Sequence, residues 1–354
     1  MSPLPRIAIS MGDPSGIGPE VTLGALRSGA VRQRLTPILV GDLGVYRDAA
    51  ETIRAPLGFV AWEPPAPLPR GAIAVRVVSE LAPQERRAGR PAPSGGRAAH
   101  DAVLEALRLV RAGIADALTT APLAKACLQA AGRTAAGHTE LLAELCGAPP
   151  VRMMMVGPRL RVALVTTHLA LRAVPDALST DAVLQTVRIA HRALRDQFRI
   201  AKPRLGVAGL NPHAGEQGLF GDEDMRVIAP AVRAAHRQRI DARGPLAADS
   251  LFPLALAGQF DAVVCMYHDQ GLAPFKLLHF ADGVNFTAGL PIVRTSPDHG
   301  TAHDLAGSGS ADARSMAAAL SMAAALSRPA RAARAPRQRA IPYAASAAAR
   351  PSRK

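Results

Sequence analysis

Short β-branched runs alternate with amphipathic helical stripes along this chain, and that alternation constrains the fold more than any other feature. Residues 7–10, 37–40, 115–120, 161–167, 205–209 and 261–266 each read as a strand. Between them, 95–112 carries Val103, Leu104, Leu107 and Val110 on one helical face. A helix capped by Thr180 carries the stripe Val183, Val187, Ala190 and Leu194, and Asp222 opens another that runs to about His236. Pro19 suits the first turn of a helix reaching about Leu26. Strands that alternate with helices predict an α/β fold on a largely parallel sheet. Residues 62–95, rich in Pro, Ala and Arg, read as an irregular surface excursion.

Length and charge narrow the class. A chain of 354 residues is long enough for two domains. With 49% hydrophobic and 20% charged residues it is globular rather than disordered. The formal net charge is +14, but residues 328–354 hold seven arginines, Lys354 and no acid, so more than half of it sits in an Ala/Pro/Ser-rich segment that reads as a disordered basic tail. One aromatic, Tyr343, gives that tail no stacking pattern, and nucleic acid is not an expected partner. No apolar run reaches the roughly 18 residues of a membrane span. The stretch Ile7-Ala8-Ile9 ends at once in Gly12-Asp13-Pro14, which is no signal peptide. Cys127, Cys146 and Cys265 lie far apart and read as incidental thiols of a reducing cytoplasm.

Unusual residues cluster just past the expected strands, at the rim where open α/β sheets bind ligands. His168 ends Thr166-Thr167-His168, His213 ends Asn211-Pro212-His213, and His268 opens His268-Asp269-Gln270. Singly each is an ordinary loop histidine. Together, three imidazoles can hold one divalent cation and leave a position open, as a dehydrogenase or a metal-dependent hydrolase would require. Gly137-His138-Thr139-Glu140 opens a helix through Leu145. Its N-terminal amides can take a phosphate together with His138 and Thr139, or Thr139 can simply cap it.

Lys276 among Phe275, Leu277 and Leu278, and Arg294 after Pro291-Ile292-Val293, are cations set in apolar sequence, which need anionic partners; Asn285 lies between them. The small-residue loop from Pro297 to Gly307 can cradle a ribose or adenine, with Asp304 meeting a hydroxyl. Gly12 to Glu20 resembles a phosphate loop but is neither a Walker loop nor a dinucleotide fingerprint, since no lysine follows and the glycine spacing differs. Its competing reading is a tight strand-to-helix turn.

Taken together, MGDPSGIGPE from Met11, GHTE from Gly137, NPHAGE from Asn211, YHDQGLAPFK from Tyr267 and GVNFTAGLPIVRTSPDHGTAHDLAG from Gly283 resemble the 4-hydroxythreonine-4-phosphate dehydrogenase family of vitamin B6 synthesis, over residues 7–326. The resemblance implies an isocitrate/isopropylmalate dehydrogenase-like fold with two α/β domains flanking a cleft: 1–125 plus 285–327 on the cofactor side, and 126–284 carrying metal, substrate and dimer contacts. It implies a cytoplasmic homodimer with shared active sites. A divalent metal (zinc, magnesium or cobalt) would sit on His168, His213 and His268, and a small phosphorylated hydroxy acid on His138, Thr139, Lys276, Asn285 and Arg294. NAD or NADP would lie on the loop with Asp298, His299, Gly300, Thr301 and Asp304.

The implied reaction oxidises and decarboxylates 4-phosphooxy-L-threonine to 3-amino-2-oxopropyl phosphate, with Asp249 or Lys125 as candidate catalytic proton shuttles. The alternative is a paralogue acting on threonate or erythronate 4-phosphate. The chain departs from the family in Ala248-Asp249-Ser250, where threonine is usual at the third position, and at Arg133-Thr134-Ala135-Ala136, where an aromatic is common.

Overall fold

The structure, a computed structural model, describes residues 3–124, 128–129, 132, 137–147 and 150–327. Lys125, residues 133–136 and the basic tail from 328 onward lie outside the described residues.

The alternation is realised as one mixed sheet. Its strands are β1 (Arg6–Ser10), β2 (Thr36–Asp42), β3 (Phe59–Ala61), β4 (Ile73–Ser79), β5 (Ala117–Thr120), β6 (Arg152–Val156), β7 (Arg161–Leu164), β8 (Arg204–Ala208), β9 (Asp241–Leu246), β10 (Ala262–Cys265), β11 (Val284–Ala288) and β12 (Arg294–Pro297). Across the sheet the order is β3-β4-β2-β1-β5-β12-β11-β6-β7-β10-β8-β9. The six strands from β3 to β12 are parallel to one another, and so are β7, β10, β8 and β9. The direction reverses at β12–β11, β11–β6 and β6–β7, so an antiparallel seam joins two parallel halves.

Parallel neighbours need crossovers, and helices supply them. They include α1 (Gly18–Arg27), α2 (Leu43–Thr52), α3 (Pro93–Arg111), α4 (His138–Leu145), α5 (Thr180–Asp196), α6 (Ala229–Arg237), α7 (Ala248–Leu256), α8 (His268–His279) and α9 (Arg314–Ser327). The stripe Val183, Val187, Ala190 and Leu194 on α5 is buried as its spacing predicts, packed with Val207 and Phe286 in one cluster of the second half. Val162, Leu164, Leu251 and Phe275 form the cluster on the other face of that half. A separate cluster around Ile7, Ile9, Leu39, Val103 and Leu320 fills the first half.

Three local expectations are corrected. Residues 62–95 are not wholly irregular: β4 lies within them and pairs with β2 and β3, its β-branched run masked by the prolines and arginines on either side. The N-cap of α5 is Ser179, whose Oγ accepts from the Ala182 amide at 3.1 Å, rather than Thr180. The helix expected from Asp222 begins as a π-turn over Asp224–Ile228 and becomes α-helical only at Ala229. Cys146 and Cys265 are unpaired thiols, and burial pushes the Cys265 thiol well above its ordinary pKa, which leaves it inert.

The turn after β1 is closed by Gly12, which has φ +74°. A Cβ there would run into the carbonyl oxygen of Pro122, which accepts the Asp13 amide at 2.9 Å. Gly12→Ala is therefore expected to cost at least about 2 kcal/mol, from left-handed strain and the lost approach. Urea unfolding checks this, and a midpoint equal to the unmodified protein's would contradict the turn described.

Candidate functional site

A buried cation sits at the seam. Arg294, the first residue of β12, is only 2% exposed. Its Nη2 donates to Thr120 Oγ1 on β5 at 2.6 Å and its Nη1 to Thr287 Oγ1 on β11 at 2.9 Å. Its Nε has no hydrogen-bond partner, and among the described residues no carboxylate forms an ion pair with it. Burial lowers the guanidinium pKa to about 10, with the field of Glu140 opposing. Two hydroxyls satisfy donors but cannot neutralise charge, so this site favours an anion.

Helix α4 starts beside it. Its N-cap is Gly137 and no side chain caps it, so the capping alternative for Thr139 is set aside and the first-turn amides remain open to a ligand. His138 is half-buried, but its Nε2 is shut off from solvent without a partner. Burial first, and Arg294 second, push its pKa down to about 3, so the ring is neutral at ordinary pH. Asn285 Oδ1 is likewise buried and unpaired. Arg294, His138, Thr139 and Asn285 line one cleft of about 610 Å³, together with His168 and His299. A wider hollow of about 800 Å³ by Arg47, Glu51, Arg54 and Phe59 lies at the β3 edge of the sheet and gathers none of these groups.

The loop after β12 closes one side of the cleft. Lys276 Nζ lies 3.4 Å from Asp298 Oδ2, close but not aligned as a hydrogen bond. Burial raises the Asp298 pKa, against the pull of Lys276, and lowers that of His299. His299 Nε2 has no partner among the described residues, and a side chain at Gly300 would meet open space. Asp304 is exposed and able to accept from a hydroxyl. The loop is seated on the segment after β1: Ile17 N donates to Thr301 O at 2.9 Å, and His303 Nε2 lies 2.9 Å from Asp13 Oδ2. Gly12 to Glu20 is thus a buried strand-to-helix turn, as its competing reading held.

The three rim histidines divide. The rings of His168 and His268 lie 5.7 Å apart, and Asp269 Oδ1 is 2.6 Å from His268 Nδ1, which leaves Nε2 as the nitrogen for a ligand. Gln270 holds the two rims together, its Oε1 accepting from Met266 N and its Nε2 donating to Gly209 O. His213 is exposed on a left-handed turn, φ +52°, with its ring 6.0 Å from Phe220. One chain brings no group of three or more metal-ligating side chains together among the described residues. Asp249 is exposed at the start of α7, its Oδ1 accepting from Ser250 N, and does not line the cleft. Sequence reasoning missed Thr120 and Thr287: a threonine in a strand is ordinary, and only the pairing of β12 between β5 and β11 makes these two the seat of a guanidinium.

The fold and the cleft define an α/β enzyme with a desolvated cation for an anionic ligand. The chain belongs to the family of the pyridoxal phosphate biosynthetic protein PdxA, whose model matches residues 33–323. It is 51% identical over 319 residues to a 4-hydroxythreonine-4-phosphate dehydrogenase from Geobacter metallireducens, covering 89% of this chain and 93% of that one. It is 45% identical over 316 residues to a D-threonate 4-phosphate dehydrogenase from Cupriavidus necator, covering 88% and 94%. Among solved structures, a 4-hydroxythreonine-4-phosphate dehydrogenase from Klebsiella pneumoniae superposes with a TM-score of 0.82 at 39% identity, over 91% of this chain and 98% of that one.

The His138 ring should stay neutral well below pH 6. Its folded pKa near 3 lies under the unfolded value of 6.5. Between those limits the unfolded chain takes up a proton that the folded chain excludes. The residue's contribution to stability is therefore full above pH 6.5 and lost as pH falls towards 3, at up to about 1.4 kcal/mol per pH unit. An NMR titration of the ring tests this, and an inflection near 6.5 would rule the buried neutral state out.

Proposed function

We propose that this chain oxidises and decarboxylates 4-phosphooxy-L-threonine to 3-amino-2-oxopropyl phosphate, with NAD or NADP as acceptor and one divalent cation (zinc, magnesium or cobalt) per site. One observation carries the reading: Arg294 is buried with no carboxylate partner among the described residues, beside an uncapped helix start, in a cleft that also holds a neutral imidazole. The names of the relatives support it. The two expected units, 1–125 plus 285–327 and 126–284, would flank this cleft, and a cytoplasmic setting belongs to the same proposal.

Arg294, the α4 amides and Thr139 would hold an anionic end of the substrate. Lys276, released from Asp298, would meet a second negative group. Neutral His138 and Asn285 would accept or donate hydrogen bonds at the hydroxyl and amine without adding charge. The donor set fits a cation in type, and for His168 and His268 in proximity. His213 would join them across a subunit interface. Four exposed apolar side chains support a second copy: Leu277, Phe280, Leu219 and Leu171 are 86, 80, 73 and 67% exposed. The loop after β12 fits a nicotinamide cofactor through small residues, the unpartnered His299 Nε2 and the open carboxylate of Asp304.

A cation on His168, His213 and His268 would supply charge stabilisation at the substrate oxygen, and a nicotinamide held by the loop after β12 would supply the two-electron hydride acceptor. The substrate loses its hydroxyl proton and a hydride to become a ketone β to its carboxylate. Carbon dioxide then leaves, the electron pair passes into the enolate, and carbon is reprotonated. Asp249 would move those protons if a second copy brings it to the cleft. Lys125, the other candidate shuttle, lies outside the described residues.

The second reading, a threonate or erythronate 4-phosphate dehydrogenase, is favoured by the Cupriavidus necator relative. It needs the same phosphate, hydroxyl and carboxylate contacts, and kcat/KM for each substrate separates the two.

Arg294→Lys keeps the charge but loses the planar donor set, and should lower kcat/KM about 100-fold through substrate binding. Unchanged kcat/KM would overturn the role given to Arg294. His213→Ala should lose stoichiometric metal in elemental analysis and nearly all turnover while remaining folded; retained metal and activity would remove His213 from the ligand set.

A further inference from the structure

The Gly12–Glu20 segment contributes two buried carboxylates that the proposed chemistry leaves unused. Asp13 is 1% exposed and Glu20 5%. Glu20 Oε1 accepts from the Gly307 amide at 2.6 Å and Oε2 from the Gly309 amide at 3.1 Å, so both oxygens grip one end of the loop that follows β12. Asp13 Oδ1 accepts from the Ser15 amide at 2.9 Å, which fixes the carboxylate, while Oδ2 meets His303 Nε2 at 2.9 Å. A carboxylate can only accept, so His303 Nε2 is the donor. Between these two points Ile17 N donates to Thr301 O. Gly307 and Gly309 have φ of +84° and +69°, a backbone path that turns their amides inward. None of these bonds involves a group of the Arg294 floor.

We propose that Asp13 and Glu20 are positioning residues for the nicotinamide cofactor, acting through residues 298–309. They fix that loop's backbone so that Asp304 and the segment from Asp298 to Gly300 meet the cofactor already ordered. Carboxylate-to-amide bonds in a water-poor site are stronger than neutral ones, and a loop held in its binding shape loses less entropy on binding. The inference rests on the assignment of this loop to the cofactor. It adds that the affinity of the loop is set from the opposite end of the chain.

The test uses the full-length protein with Glu20→Gln and, as an independent variant, Asp13→Asn. Glutamine turns one of the two acceptors into a donor facing an amide, so the grip is halved without removing volume. Two readouts are taken: amide hydrogen exchange of residues 298–309, and NAD and NADP affinity by titration of the protein without substrate. Steady-state KM is measured beside them for cofactor and for phosphorylated substrate. The expected result is faster exchange confined to the loop and a cofactor Kd and KM raised roughly ten-fold, with substrate KM nearly unchanged. Unchanged exchange and unchanged cofactor affinity in both variants overturn the clamp and leave the loop assignment standing. Faster exchange with unchanged cofactor affinity overturns the loop assignment, and this proposal with it. A global loss of stability in Glu20→Gln with loop and cofactor normal in Asp13→Asn makes the carboxylates structural and overturns the proposal.

Discussion

An unneutralised guanidinium at the middle of a twelve-stranded sheet organises the centre of this molecule. Arg294 is held by Thr120 and Thr287, which belong to the strands on either side of its own. Both bonds require β12 to lie between a parallel and an antiparallel neighbour, which is the point where the sheet changes direction. Removing one hydroxyl would leave part of a buried charge unsatisfied, a larger penalty than the hydrogen bond alone. The position of the cleft therefore follows from strand order: its floor is the seam, and its walls are α4, the loop after β12 and the rim of β7.

Much of the framework was legible in the sequence because the periodicities were strong. The α5 stripe and the runs that became β1, β2, β5, β7, β8 and β10 fell where the alternation placed them. The strands that escaped had no such signal. β6 is a run of methionines after an arginine, β9 contains Gly244-Pro245, and β11 and β12 are short with polar residues facing the cleft. Their identity as strands comes from pairing, which is tertiary.

The candidate site was legible in part. His138, Thr139, Asn285, Arg294, His168 and His299 converge on one cleft, and Lys276 reaches Asp298. Lys276 and Arg294 stand out as cations in apolar sequence, with Asn285 between them, His168 as an imidazole at a strand end, and His138 with Thr139 at a helix start; His299 comes with the small-residue loop. Strand-end placement alone says nothing of which rims adjoin, and in one chain it brings His168 to His268 while leaving His213 beside Phe220. The Gly12–Glu20 segment gave the opposite lesson: its glycines imitate a phosphate loop, yet its carboxylates are turned inward upon the chain's own amides.

The missing counter-ion of Arg294 has a consequence for handling the protein. A desolvated guanidinium whose Nε has no partner among the described residues discriminates poorly among small tetrahedral anions, since charge and size are all it reads at that point. Sulfate and inorganic phosphate in a buffer are then competitors rather than bystanders. Affinities for phosphorylated compounds depend on the medium, and a sulfate-rich crystallisation liquor would be expected to fill the same place.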